Sequence, residues 1–259
     1  MIELALSVQA VTSRLLGMLD ARLPGRLEAF YLVGSIAQGD FREGQSDVDF
    51  VAVLAEPHDA AILAAIHADL ARDVSGLDCD GIYLRPGELA APPSGTGICL
   101  RAGRLDPLSA DERHAVTWLL LADSGIALRG RAPDHRWVAA DRNAAIAHSR
   151  DNLERYWRPW LHRRRLLLSP AGLSLLREEA VAWGCLGIAR LHATIAQGRV
   201  PSKSGAGEYA LRAFPDHARI TTEALRIRIY PVSPTGYGSV LTRRRELIAF
   251  MDAVLDDPQ

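Results

Sequence analysis

Two aspartates separated by one residue, Asp47 and Asp49, follow a Gly34-Ser35 pair by about a dozen positions. In a strand, side chains two apart share a face, with Cα atoms roughly 6.5–7 Å apart. Asp47 and Asp49 therefore point the same way, while Val48 and Phe50 enter a core. Two hard oxygen ligands so spaced suit Mg²⁺, which takes one or two carboxylates together with substrate phosphates and water. The Gly34-Ser35 pair ends an apolar, β-prone run, Phe30 to Val33. Ser35 to Gln38 can form one helical turn, and Gly39 suits the left-handed residue that closes it. Backbone N–H groups at a helix start favour an anion. Gly34 lets a phosphate approach closely, and the Ser35 hydroxyl can donate to it. A phosphate cradle and a pair of metal carboxylates thus lie on neighbouring strands.

Metal-bound carboxylates do not by themselves deprotonate an alcohol. A third acid on the next strand would complete such a site. Leu77 to Leu84 reads as that strand, with Asp78 and Asp80 on one face and Cys79 on the other. A carboxylate there can serve as general base or as a further metal ligand. Asp80 is preferred, because Gly81 beside it would admit a bulky substrate. Asp78 is read as a cap at the strand entrance.

The elements that must hold these residues follow in order. Ile2 to Leu19 has apolar residues at helical spacing. After the Gly34–Val53 segment, Pro57 to Val74 reads as a helix with Ala61, Ile62, Ala65, Ile66, Ala68 and Leu70 on its buried stripe. Leu89 to Gly97 is a loop, and Ile98 to Leu100 a short strand. Ser109 and Glu112 have capping-box spacing, so a helix is expected from Ser109 to Asp123, stopped by Gly125. Ile126 to Leu128 is extended. A boundary falls near Pro133, giving domains 1–135 and 136–259. Helices then fill Asp141 to Leu168 (interrupted at Pro159), Pro170 to Gln197, Ser204 to Phe214, Asp216 to Ile229 and Val240 to Leu255. The expected fold class is α+β: a small mixed sheet with helices, followed by an all-α bundle.

Composition narrows the function classes. The chain has 259 residues, a net charge of −1 and 48% hydrophobic residues. That balance carries no nucleic-acid footprint. No apolar run is long enough for a membrane span. Arg163-Arg164-Arg165 and Arg243-Arg244-Arg245 are expected to be solvated helix faces. Glu3 and the lack of a basic n-region speak against a secretory signal. Cys79, Cys99 and Cys185 read as reduced core residues, so a cytoplasmic protein is expected; a monomer is also expected, though nothing in the sequence fixes the oligomeric state. Histidine spacing offers no zinc site. Of the 30 basic residues, Lys203 alone is lysine. Against so strong an arginine bias, a lysine is expected where a compact, rotatable charge is needed, as on a polyphosphate.

The order Gly34-Ser35, a dozen residues, then Asp47-Val48-Asp49-Phe50 resembles the nucleotidyltransferase superfamily signature. Arg190 on a long helix, then Gly198, Lys203 and Tyr209, extends the likeness over nearly the whole chain. With both stretches, the sequence is similar to the aminoglycoside nucleotidyltransferases that adenylylate streptomycin and spectinomycin. The resemblance implies a polymerase beta-like N-terminal domain and a helical C-terminal domain. It implies ATP and Mg²⁺ as cofactors, with Asp47 and Asp49 on the metal and Asp80 as base or additional metal ligand. Gly34, Ser35, Ser46, Arg190 and Lys203 are assigned to the nucleotide. The family's base is a Glu, so Asp80 has a shorter arm. Its drug-stacking tryptophan has no clear counterpart between Leu89 and Gly103.

The family's drug-binding acid falls near Glu178 or Glu179. On the helix, Glu178 shares a face with Ala182 and Cys185, and Glu179 with Trp183, Leu186 and Arg190. An acid on an apolar face is costly unless paired. Arg190 is one available partner. The other reading is an acidic pocket for a cationic sugar, with Trp157, Trp160 or Trp183 as its wall. The expected activity is Mg-dependent transfer of AMP to a hydroxyl of a small aminoglycoside or aminocyclitol. The alternatives are a protein-modifying nucleotidyltransferase of the toxin–antitoxin kind, of which minimal members are about half this length, and a non-catalytic nucleotide-binding module.

Overall fold

The computed structural model describes residues 4–56, 59–74 and 76–257. Ile2, Glu3 and Pro57, which figure in the sequence expectations, lie outside the described residues. The chain divides into two compact units, Met1–Asp141 and Arg142–Gln259.

The first unit is built on a six-stranded mixed sheet. Its strands are β1 (Leu27–Leu32), β2 (Val48–Leu54), β3 (Cys79–Leu84), β4 (Gly97–Arg101), β5 (Arg104–Ser109) and β6 (Ile126–Arg129). They lie in the order β5-β4-β3-β2-β1-β6. Among the described residues only β2 and β3 pair in parallel, as their connection through a helix requires. That helix, α3 (Ala60–Asp73), begins where the Asp59 carboxylate accepts from the Ala61 N–H, a normal N-cap bond. Helix α1 (Leu6–Arg22) buries Val8, Val11, Leu15, Met18 and Leu19, a stripe of helical period.

Strand alternation sorts the side chains. Phe30, Leu32, Val48, Phe50, Ala52, Cys79 and Tyr83 share one core with α1 and α3. Tyr31, Val51, Val53, Ile82 and Leu84 share another with Trp118 and Leu121 of α4 (Ala115–Ser124). A four-residue helical turn, α2 (Gly34–Ala37), joins β1 to the loop that enters β2.

After β4 the structure departs from the sequence expectation. Strand β5 falls where the sequence shows no strand. It is an edge strand with mostly exposed side chains, so it has neither an apolar face nor alternation, and the edge tolerates Pro107. Ser109 ends β5 instead of capping a helix. The helix starts at Ala115, where Nδ1 of His114 accepts from the Thr117 N–H, and Glu112 accepts from the Thr117 hydroxyl.

The second unit is a helical bundle. Its helices are α5 (Arg142–Asn152), α6 (Arg158–Arg164), α7 (Pro170–Ser174), α8 (Glu178–Gln197), α9 (Lys203–Ala213), α10 (Ala218–Ile229) and α11 (Val240–Asp256). Its core gathers Trp157, Trp160, Cys185, Ile188, Ala189, Phe250 and Met251 among others. Ahead of Pro159 the chain widens into a π-turn, Leu153–Trp157, a usual accommodation of a disturbed hydrogen-bond ladder. Helix α8 ends on Gly198 at φ +63°. Helix α9 begins under Ser202, whose hydroxyl accepts from the Gly205 N–H.

Candidate active site

Strand β2 opens with Val48 and Phe50 fully buried against α1 and α3. Asp49 therefore belongs to the opposite face and is half-buried, while Asp47, in the loop just before the strand, is exposed. In the parallel ladder Asp49 stands opposite Asp80, as Val48 stands opposite Cys79. Asp80 thus shares the face of Asp49, at the same end of the sheet.

The loops around this end are tied by backbone bonds. The Val33 N–H donates to the Asp49 carbonyl (3.0 Å), and the Val48 N–H to the Asp78 carbonyl (2.8 Å). The Asp40 N–H reaches the Ser35 carbonyl at 2.8 Å. The Ser46 hydroxyl accepts from the Arg42 N–H at 3.0 Å, closing the loop just before Asp47. Ser46 is itself buried. Gly34 has φ +62°, a left-handed conformation that favours glycine. A Cβ there would lie 2.8 Å from Cγ of Asp49, with Oδ2 closer still. Glycine at 34 therefore lets the α2 turn sit directly on the Asp49 carboxylate.

The carboxylates feel one another. Burial raises the Asp80 pKa above the ordinary aspartate range. The Ala102 N–H, donating to its Oδ1 at 2.8 Å, opposes this, and Asp47 and Asp78 add to the rise. Burial pushes the Cys79 thiol up to about 12, and Asp80, Asp78, Asp47 and Asp49 all contribute. Gly81 does not serve the purpose expected of it. It lies on the core face, where an added Cβ would meet the Phe50 ring at 2.6 Å. Its small size makes room for Phe50, on the face opposite Asp80.

Among the described residues, no three His, Cys, Asp or Glu side chains are arranged to hold a metal on their own. The donor set near Gly34 fits an ion that takes two carboxylates and completes its shell with phosphate oxygens and water, the habit of Mg²⁺. A closed structural zinc site does not fit.

In the helical unit, Lys203 opens α9, with its Nζ 5.7 Å from the centroid of the Trp183 ring. Trp183 is 45% exposed, and its ring lies 5.9 Å from that of buried Trp157. Trp157 and Trp160 are core residues. Arg190 Nε donates to the Pro201 carbonyl at 2.8 Å, bracing the turn that carries Lys203. Glu178 is paired by Arg226 (2.7 Å) and Arg243 (3.2 Å). Those arginines also hold Glu223, which in turn accepts from Thr235 and Gly236. The arginine run at 243–245 is therefore not a solvated face. Arg243 is buried in this ion cluster, and Arg244 donates to the Arg164 and Arg165 carbonyls. Glu179 is exposed and pairs with Arg177 at 3.3 Å.

The sequence gives no sign of Ala102, whose only contribution to Asp80 is a backbone N–H. Reading a hairpin through Ala102-Gly103 would have been the signal, and the polar character of β5 hid it.

Residues 13–89 match the family model described as a nucleotidyltransferase domain. That span runs from α1 through β3 and holds Gly34, Asp47, Asp49 and Asp80. This part of the chain is a nucleotidyltransferase domain. No curated protein matches the chain by sequence. Among solved structures, the chain is similar to spectinomycin adenyltransferase AAD(9) from Enterococcus faecialis, determined with ATP and spectinomycin. The identity is 14%, the TM-score 0.64, and the match covers 94% of this chain and 99% of that one. The likeness extends the shared fold beyond the nucleotidyltransferase domain to the helical unit. No helix among the described residues is long and apolar enough to cross a membrane.

Proposed function

We propose that the protein transfers AMP from Mg-ATP to a hydroxyl of a small acceptor, of the aminocyclitol or aminoglycoside type. The observation that carries this reading is the in-register pairing of Asp49 with Asp80, beside the Gly34 turn of a nucleotidyltransferase domain. The acceptor class is supported by the fold shared with an adenyltransferase whose structure contains ATP and spectinomycin.

In this reading Asp47 and Asp49 hold Mg²⁺, which when bound neutralises charge on the triphosphate. Gly34 and Ser35 receive phosphate oxygens at the α2 turn. Asp80 takes the proton from the acceptor hydroxyl as its oxygen bonds to the α-phosphorus. The bond from that phosphorus to the bridging oxygen breaks, and pyrophosphate leaves. A base whose pKa lies above the usual aspartate value is better matched to this task than an ordinary one. Lys203 is assigned to the triphosphate. Arg190 supports its turn, as Ser46 supports the loop before Asp47. Trp183 and Glu179, both exposed on α8, are the candidate acceptor contacts. Glu178 shares its charge with two arginines and is assigned to the scaffold.

The test is a pyrophosphate-release screen with Mg-ATP over aminocyclitols, aminoglycosides and other sugars. Acceptor-dependent release, with a product heavier by one AMP in mass spectrometry, is the expected result. Nucleotide binding without release across the whole panel would overturn it.

A further inference from the structure

Strand β5 is the least buried strand of the sheet, yet the turn that leads into it from β4 reaches the site. Two residues, Ala102 and Gly103, join the register partners Arg101 and Arg104. Their φ angles are +48° and +71°. Two consecutive positive φ values are the mark of a type I′ turn, whose twist suits a hairpin. Gly103 adopts this conformation freely. Ala102 does not, because its Cβ is crowded there, and asparagine or glycine would be the easier choice. The Ala102 side chain is exposed, so no packing of its methyl explains the conformation. What Ala102 does contribute is its N–H, which donates to Oδ1 of Asp80 at 2.8 Å. Among the described residues, no other hydrogen bond reaches that carboxylate.

We propose that the Ala102-Gly103 turn is a positioning element for Asp80: the Ala102 N–H anchors Oδ1 and presents Oδ2 to the acceptor hydroxyl. The proposal rests on the reading of Asp80 as the base. A terminal carboxylate torsion is broad and two-fold, so an unanchored Asp80, repelled by Asp47 and Asp78, would be free to rotate away from the position the reaction needs. A base must be held where the proton leaves, and small misplacements are costly. One fixed backbone donor removes that freedom without adding a side chain to a crowded site. It also leaves the anchor almost without a sequence signature, since any residue able to turn at position 102 supplies it.

Two measurements test this. The first ignores activity. Amide hydrogen exchange at Ala102, followed by NMR, is expected to be slow in the wild type and at least about tenfold faster in Asp80→Ala, as for a lost local hydrogen bond. Equal exchange in both overturns the anchor. The second uses Gly103→Val, which cannot hold a positive φ, and Gly103→Asn, which can. Gly103→Val is expected to lower kcat by about 10–100-fold with KM for Mg-ATP changed less than about twofold, and Gly103→Asn to restore kcat. In an Asp80→Asn background, Gly103→Val is expected to cost less than about twofold, because the two changes act through one carboxylate. Equal losses in both backgrounds would show a merely structural role and overturn the proposal. A wild type inert toward every acceptor would overturn the reading of the base itself, and a still-protected Ala102 amide would identify that as the failure.

Discussion

Asp49 and Asp80 are direct partners across the parallel β2–β3 pair of the sheet. Side chains opposite one another in register share a face, so one carboxylate's position constrains the other's. Asp47→Asn or Asp49→Asn is expected to abolish turnover with the fold intact, because neither side chain enters the core. Circular dichroism and pyrophosphate release check the two halves of that statement. Residual activity above about a tenth of wild type would argue against a two-aspartate clamp, whose loss should cost several kcal/mol. Asp80→Ala is expected to lower turnover by about 10²–10⁴-fold with little effect on ATP binding. Should Asp78→Ala prove the more damaging change, the base lies at 78.

Gly34 is predicted to be irreplaceable for a steric reason. Alanine there must hold φ near +62° and share space with the Asp49 carboxylate. Gly34→Ala is expected to cost about 1–3 kcal/mol of stability and to reduce kcat more than the lost stability explains. Urea unfolding gives the first quantity and turnover at saturating ATP the second. Wild-type kcat in Gly34→Ala would show that the turn and the carboxylate can part without harm.

Lys203 tests the lone-lysine argument. Lys203→Ala and Lys203→Arg are both expected to weaken Mg-ATP binding, by about 1.5–3 kcal/mol for the loss of a charge contact. A planar fork does not replace a compact ammonium on a polyphosphate. Calorimetric titration of Mg-ATP into the three proteins decides. An unchanged affinity in Lys203→Ala would make the lysine a relic of codon usage.

A pH dependence follows from His67. Its ring is buried on α3, with Nε2 2.6 Å from the Tyr83 hydroxyl. Burial lowers its pKa to about 4, from an ordinary 6.5. Between those values the unfolded chain takes up a proton that the folded chain refuses. Stability of the first unit should therefore fall as pH drops below about 6.5 and stop responding near 4, a loss of about 3 kcal/mol from this group. His67→Gln should remove that part of the slope. Urea unfolding at stepped pH compares them; parallel curves would mean that His67 is not the group responsible.

Sequence alone carried the β1–β2 segment a long way. Strand alternation separates Asp49 from Val48 and Phe50, and Gly39 follows the end of the α2 turn, because local geometry dictates each of these. The nonlocal facts were not legible. Glu178 meets Arg226 and Arg243 from helices 48 and 65 residues away, and nothing in its own periodicity points to them rather than to Arg190. Gly81 is small because Phe50, its neighbour across the ladder, fills the core face there, and no pattern in the strand itself points to that partner. The run of three arginines looked solvated because charge density says nothing about partners. Position 102 was invisible because a backbone N–H has no letter.

The strand order has a consequence for how the chain is made. Strand β1 is covered on one side by β2 and on the other by β6, about a hundred residues later in the sequence. Until Ile126–Arg129 has been synthesised, the apolar β1 strand, with Phe30, Tyr31 and Leu32, offers an open edge for pairing with another chain. Arg129 then reaches back to Asp20 with two hydrogen bonds, at 2.5 and 2.7 Å, and seals it. A fragment that stops before Ile126 should therefore sediment as aggregate where one continuing to Asp141 stays in solution, even though both contain Asp47, Asp49 and Asp80.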